Sequence, residues 1–188
     1  MKTQIVLAGV GGQGILFAAR IFSQLGIELG LGVMGSETHG MSQRGGSVVA
    51  HLKLGAFQSP MIRVGTADIL YSFHELETYR NLKFLRRGGV CFVNLSSADR
   101  FEPKIHKHLR TKDISFRAYD ASGVVSEMGS LRSANIALIG YSLGTGLLPF
   151  EHQHLKNVLE SVSRKKDLKN NAAAFESGFR AGQSQGNG

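Results

Sequence analysis

The sequence predicts an α/β domain: an open, mostly parallel sheet with helices on both faces and a helical C-terminal end. Three observations carry that expectation. Short β-rich runs alternate with helix-period runs from the N-terminus onward. A glycine-rich turn, GVGGQG at Gly9 to Gly14, stands between the first strand and the first helix. Beyond residue 133 the chain carries only helical patterns. At 188 residues it fits one domain, residues 1–188, long enough to bury a core, with 183–188 expected to fray.

Residues 2–10 (KTQIVLAGV) read as a buried strand by length and composition. From Ile15, apolar residues at Phe17, Ala18, Ile21, Phe22 and Leu25 fall at helical spacing, and Gly26 or Gly30 supplies a stop. A short second strand is expected at 31–34, followed by an irregular polar stretch. In residues 47–55, Val48, Ala50, Leu52 and Leu54 alternate as a strand should. Residues 67–73 form another buried strand. Residues 74–88 predict an amphipathic helix with Leu76, Tyr79, Leu82 and Leu85 inward and Gly88 as its stop. A further strand is expected at 90–95. Residues 97–130 are less regular, with short strands expected at 103–108 and 115–119. Three helices follow: an apolar one over 133–148 with Ser133 as its cap, then 150–164 and 167–183.

Hydrophobic residues make up 42% and charged ones 19%, a globular rather than a disordered composition. No apolar run is long enough to span a bilayer, and the N-terminus lacks a signal-peptide layout, so a cytoplasmic protein is expected. Cys91, the only cysteine, can make no intrachain disulfide and cannot alone hold an iron–sulfur cluster or a structural zinc. Its apolar setting, GGVCFVNL, reads as an inert core thiol. The net charge is +8. Residues 1–85 carry 7 Lys/Arg against 5 Asp/Glu, and residues 86–188 carry 15 against 9, so the second half is the basic one. Its clusters lie at Arg86–Arg87, Lys104 to Lys112 and Arg164–Lys165–Lys166. Solvated faces, an acidic protein partner or a phosphorylated cofactor all accommodate them. Nucleic acid does so less well, because the aromatics lie mostly within apolar runs rather than beside the cations.

Gly9, Gly11 and Gly14 match G-x-G-x-x-G in the place its mechanism needs, and Gly12 bares the turn further. The turn is therefore Rossmann-like. Its ribose-binding acid is missing: the second strand ends VMGSE, and Glu37 lies past a glycine in the polar stretch. That argues against a dinucleotide. A turn kept for backbone geometry, or one that binds another phosphate or anion, both stay open.

Two further patterns are decoys. GYSLG at Gly140 to Gly144 fits the nucleophile elbow, but Ser142 is preceded by a helical run, and His152 and His154 come before the only later Asp, Asp167. Small residues on a helix packing against the sheet account for the match. The pairs His106/His108 and His152/His154 lack carboxylate or Cys company at ligand spacing, so no metal site is expected. No catalytic residue is assigned.

The polar stretch Ser36 to Gly46 (SETHGMSQRGG) remains. Glu37, His39, Ser42, Gln43, Arg44, Gly45 and Gly46 are more polar groups than packing asks for. The stretch follows an early strand beside the glycine turn, at the crevice where open α/β sheets bind ligands. It reads as a functional loop touching a ligand or another subunit.

Taken together, GVGGQGI and GSETHGMSQRGGSVVAHL resemble the gamma-type domain of the 2-oxoacid:ferredoxin oxidoreductases. The THGMSQRGGSV form looks most like the small subunits of the indolepyruvate branch. The resemblance implies a complex that decarboxylates a 2-oxoacid oxidatively in the presence of CoA, giving an acyl-CoA and reduced ferredoxin. Thiamine diphosphate and iron–sulfur clusters would then sit on a larger catalytic (alpha) subunit, since this chain has neither the cysteines nor a G-D-G…N signature. The isolated chain would be inactive, with Ser36–Gly46 facing the partner or the CoA path. Arg44 suits an anion because its guanidinium forks onto phosphate or carboxylate. Neither nucleic acid nor membrane is an expected partner. The alternative is a stand-alone nucleotide- or anion-binding module.

Overall fold

The computed structural model describes residues 1–40, 45–97 and 101–186. Its elements are β1 (Thr3–Val10), α1 (Ile15–Glu28), β2 (Val33–His39), β3 (Ser47–Leu54), β4 (Ala67–Ser72), α2 (Glu75–Asn81), β5 (Leu85–Asn94), α3 (Pro103–Thr111), β6 (Ser115–Tyr119), α4 (Ala121–Glu127), α5 (Ala134–Gly144), α6 (His152–Val162) and α7 (Leu168–Gly186). One sheet holds the strands in the order β2-β3-β1-β4-β5-β6. The pairs β1/β4, β4/β5 and β5/β6 are parallel, while β3 runs antiparallel to both of its neighbours.

Period-two alternation in the central strands feeds two cores, one on each face. Ile5, Leu7, Ile69, Tyr71, Val90 and Phe92 face the larger core, where α1, α5, α6 and α7 pack. Val6, Ala8, Leu70 and Cys91 face a smaller one that contains Leu82, Leu109 and Ile114. The α/β class, the mostly parallel sheet, the helices on both faces and the helical end are all present. Among the described residues no helix is long and apolar enough to cross a membrane.

Several boundaries differ from the sequence expectation. The second strand does not stop at 34 but runs to His39, because each residue from Val33 to His39 finds a partner on β3 between Leu54 and Val48. As an edge strand it needs only one ladder of partners, so a polar sequence can occupy it. The helix expected over 74–88 ends at Asn81 and gives way to a 3-10 turn (Leu82–Phe84) and then to β5. Leu82 and Leu85 are buried as expected, but from the turn and the strand, while Leu76 is 57% exposed. Glu77, Thr78 and Asn81 take the buried face of α2 instead. Residues 103–108 are helical rather than extended: Pro103 opens α3, and Ile105 and Leu109 lie one turn apart on its inner side. Helix α7 continues through Gly186, past the expected fraying point, and the Tyr141 hydroxyl donates to Oε1 of Gln185 within that last stretch.

Helices α5 and α7 lie unusually close. A methyl group on Gly140 or Gly144 would overlap the carbonyl oxygens of Phe175 and Phe179, and one on Gly178 or Gly182 those of Ala137 and Tyr141. The GYSLG run is thus half of a paired G-x-x-x-G contact, and its partner is α7 rather than the sheet. Ser142 inside it is fully buried, its Oγ 2.6 Å from the Tyr71 hydroxyl and donating to the Ile139 carbonyl. Replacing Gly140 or Gly178 with Ala is expected to destabilise the fold by about 1–3 kcal/mol through overpacking. Thermal unfolding checks this, and an unchanged midpoint would contradict the backbone-to-backbone packing.

Candidate functional site

The glycine turn closes over the carboxyl end of β1, and a single side chain organises it. Gln13 folds back so that its Oε1 accepts the Val10 amide at 2.9 Å and its Nε2 donates to the Phe73 carbonyl at 2.9 Å. Gly9 is required beneath it, since a Cβ there would stand 2.7 Å from Gln13 Oε1. Gly14 is the N-cap of α1 at φ 74°, a left-handed conformation, and Asn135 at the start of α5 donates to its carbonyl at 2.9 Å. No side chain caps α1.

The four turn glycines thus have different roles. The Gly11 amide donates to the Gly46 carbonyl at 2.9 Å, so this turn is closed by the β2–β3 hairpin. Gly12, at φ 98°, has nothing within 4 Å of a built Cβ and faces open space.

The absence of a ribose acid now has a topological cause. In this sheet β3 lies between β1 and β2, which puts β2 about 10 Å from β1 at ordinary strand spacing. Glu37 is paired opposite Ala50 on β3, and its carboxylate lies 3.7 Å from Nε2 of His39 with both side chains about half exposed. Both residues therefore belong to the outward end of an edge strand. The stem of the polar stretch is fixed where Gly40 donates to the Ser47 carbonyl at 2.7 Å. Gly45 takes φ 70°. Met41, Ser42, Gln43 and Arg44 lie outside the described residues; of the rest of the stretch, Gly45 and Gly46 lie against Gly11 of the turn, while Glu37 and His39 stand on β2 with β3 between them and β1.

Beside Gly12 and Gly14 opens a cavity of about 710 Å³, walled by residues 129–135 and 164–171 and by Phe17. Arg132, Arg164 and Lys166 border it against a single acid, Asp167. Residues at the starts of α1, α5 and α7 line it, and so does Ser126 in the last turn of α4, so helix ends of both signs border the positive side chains. A chain of bonds from Ser133 Oγ to Asn171 Oδ1 (2.9 Å) and from Asn171 Nδ2 to Ser163 Oγ (3.0 Å) ties the wall together. Sequence reasoning saw Arg164 and Lys166 only as a basic cluster and missed Arg132, a lone cation in a Ser/Gly-rich segment with no local signal. It also missed Gln13 and Glu77.

The cysteine and histidines lie away from this cavity. Burial pushes the Cys91 thiol far up. Burial, then the charge of Lys53, pulls His51 below its ordinary value. His152 packs its ring on Phe179, 4.1 Å between centroids, with Nε2 3.4 Å from Glu176. The hydrogen bond and charge of Lys156 hold that carboxyl below the usual range. Among the described residues no group of three or more His, Cys, Asp or Glu could hold a metal ion. Its cations and helix starts have the chemistry to suit an anion, and among the described residues that line it there is no nucleophile–base pair.

Residues 4–181 match the family model described as pyruvate ferredoxin/flavodoxin oxidoreductase. An indolepyruvate oxidoreductase subunit, IorB, of Thermococcus kodakarensis is 34% identical, the match covering 94% of each chain. Among solved structures, the gamma subunit of a keto/oxoacid ferredoxin oxidoreductase from Geobacter sulfurreducens shares the fold with a TM-score of 0.75 at 21% identity, covering 97% of this chain and 99% of that one. The 2-oxoglutarate:ferredoxin oxidoreductase of Magnetococcus marinus, with 2-oxoglutarate, coenzyme A and succinyl-CoA bound, superposes with a TM-score of 0.78 at 21% identity, over 97% of this chain and 31% of that chain.

Gly14→Ala forces a Cβ into the left-handed region and onto the Asn135 amide. It is expected to cost about 1–2 kcal/mol from the backbone alone. Denaturant titration should show the loss, and the Asn135→Ala background should relieve only the steric share.

Proposed function

The chain belongs to the pyruvate ferredoxin/flavodoxin oxidoreductase family, and we propose from that premise that it is the small, non-catalytic subunit of a 2-oxoacid:ferredoxin oxidoreductase complex. The complex would convert a 2-oxoacid and CoA to an acyl-CoA and carbon dioxide, passing two electrons to ferredoxin. An aryl pyruvate such as indolepyruvate is the favoured substrate, on the strength of the IorB likeness over almost the whole of both chains.

Thiamine diphosphate would supply the electron sink for decarboxylation, and iron–sulfur clusters the path for the electrons. The described residues of this chain do not fit a cluster, and its sequence carries no G-D-G…N run of the kind expected for thiamine diphosphate. Its one cysteine is buried on β5 in an apolar core, and no cluster of soft ligands accompanies it among the described residues. Both groups are therefore assigned to the larger alpha subunit, and the isolated chain is expected to be inactive.

The chain's own task is binding and shaping. The observation that carries this reading is the cavity beside Gly12, lined by the exposed cations Arg132, Arg164 and Lys166 and by three helix starts. That donor set suits the phosphates of CoA. The outward end of β2 with Glu37 and His39, and the stretch through Ser42, Gln43, Arg44, Gly45 and Gly46, would face the alpha subunit, with Arg44 reaching for an anion. A stand-alone anion-binding module is the second reading, favoured by the same cavity. Strong thermal stabilisation of the isolated chain by NAD or FAD would support it.

Co-expression of the alpha subunit with and without this chain, followed by 2-oxoacid-dependent ferredoxin reduction, tests the assignment. Activity is expected only with both chains, and equal activity in each case refutes it. Within the complex, Arg132→Ala with Arg164→Ala is expected to raise the KM for CoA by about tenfold or more, the scale of a lost charge-assisted bond. Pantetheine, a thiol acceptor without the phosphates of CoA, should be unaffected by the same change.

A further inference from the structure

We infer that Glu77 is a positioning residue for this site, acting through Ser47 to hold the hairpin stem against the glycine turn. The inference rests on the subunit reading above for its catalytic readout, but not for its structural one. Glu77 is 1% exposed on α2, while its neighbour Leu76 faces solvent. Burying a carboxylate carries a penalty of several kcal/mol unless it is fully bonded, and an apolar side chain would anchor a helix more simply. The bonds it makes show where it acts. The Ser47 hydroxyl donates to Oε2 at 2.7 Å, the Arg80 guanidinium pairs with Oε1 at 2.5 Å, and the Asn81 amide approaches Oε2 at 3.5 Å.

Ser47 is the hub of the stem. Its carbonyl accepts the Gly40 amide, and the preceding carbonyl, that of Gly46, accepts the Gly11 amide of the glycine turn. One hydroxyl-to-carboxylate bond thus fixes both ends of the polar stretch and its contact with the turn. The α2 end of the strut is itself anchored. Thr78 Oγ1 donates to Ser72 Oγ at 2.7 Å, which ties α2 to the end of β4. Gln13 bonds the Phe73 carbonyl one residue further on. The strut joins β3, α2, β4 and the turn that borders the cavity, and Glu77 is its one acidic member.

Three variants test this: Ser47→Ala, Ser47→Thr, which keeps the hydroxyl, and Glu77→Met, which keeps the length and removes both acceptors. In the purified chain, amide hydrogen exchange at Gly11 and Gly40 should accelerate about fivefold to tenfold in Ser47→Ala and Glu77→Met. Exchange in α5 and α7 should stay as in the wild type, and Ser47→Thr should restore wild-type exchange. In the assembled complex the same two variants should raise the KM for CoA several-fold with kcat retained. The double variant should be no worse than the worse single one, because both act through one bond. Unchanged exchange at Gly11 and Gly40, or a uniform acceleration across the fold, overturns the inference. So does additive loss, or a fall in thermal midpoint and kcat at constant KM, which would mark Glu77 as a fold anchor only. If the wild-type complex shows no CoA-dependent oxidation, the functional reading fails, and the exchange experiment still judges the strut.

Discussion

The site depends on one feature of the sheet: a strand of opposite direction wedged into its first crossover. Strand β1, helix α1 and strand β2 form an ordinary parallel unit, but β3 returns antiparallel between the two strands. That placement moves β2 to the edge and with it the position where a ribose-binding acid would stand. It also brings the start of β3 under the glycine turn, so that Gly11 closes onto Gly46. A turn of dinucleotide-binding form is thereby partly filled by the chain itself, and only Gly12 and Gly14 still border the open cavity. The physical reason is the unpaired backbone amide: once a carbonyl stands against it, no phosphate can occupy the same donor.

Around this wedge the fold is held by contacts that leave little slack. Alternation in the central strands divides their side chains between two apolar cores. Helices α5 and α7 approach until backbone meets backbone, with four glycines at the crossing, so Cα–H groups lie against carbonyl oxygens. Several buried polar groups come in satisfied sets: Ser142 with Tyr71 and the Ile139 carbonyl, Ser133 with Asn171, and Glu77 with Ser47, Arg80 and Asn81. Polar burial of this kind contributes little net stability, but it fixes relative position, because each group left without its partner carries the full desolvation penalty. The sets that fix position lie next to the turn and the cavity, where position matters to a ligand.

The chemistry present is that of recognition. Cations, helix termini and backbone amides gather at one cavity, and the only thiol is sealed in the small core with its pKa raised by burial. In the complex proposed above, a chain of this composition would complement a partner that holds the redox and carbanion chemistry. The division of labour follows from the donor types: guanidinium and ammonium groups bind phosphate, whereas clusters need several thiolates.

Much of the fold was legible in the sequence, since alternation, helical spacing and the glycine turn are local patterns set by backbone geometry. The first strand, the first helix, the buried strands β4 and β5 and the three C-terminal helices all follow from them. Three elements differ from their local patterns, each for its own reason. Strand β2 is polar because an edge needs no second core. Residues 103–108 (PKIHKH) hold too few apolar positions to separate the two periods. The helix after β4 turns inward a face other than the one its leucines suggest, because the Glu77 carboxylate is buried where Leu76 is exposed. The sequence alone determined the α/β class, the turn, the missing ribose acid and the lack of soft ligands. Only the tertiary structure decided that β3 intervenes, that Gly11 is closed by the hairpin and that Glu77 reaches Ser47. It alone also brought Arg132 to the same cavity as Arg164 and Lys166. Each of these is a meeting of segments far apart in the chain, set by strand order and packing rather than by neighbouring residues.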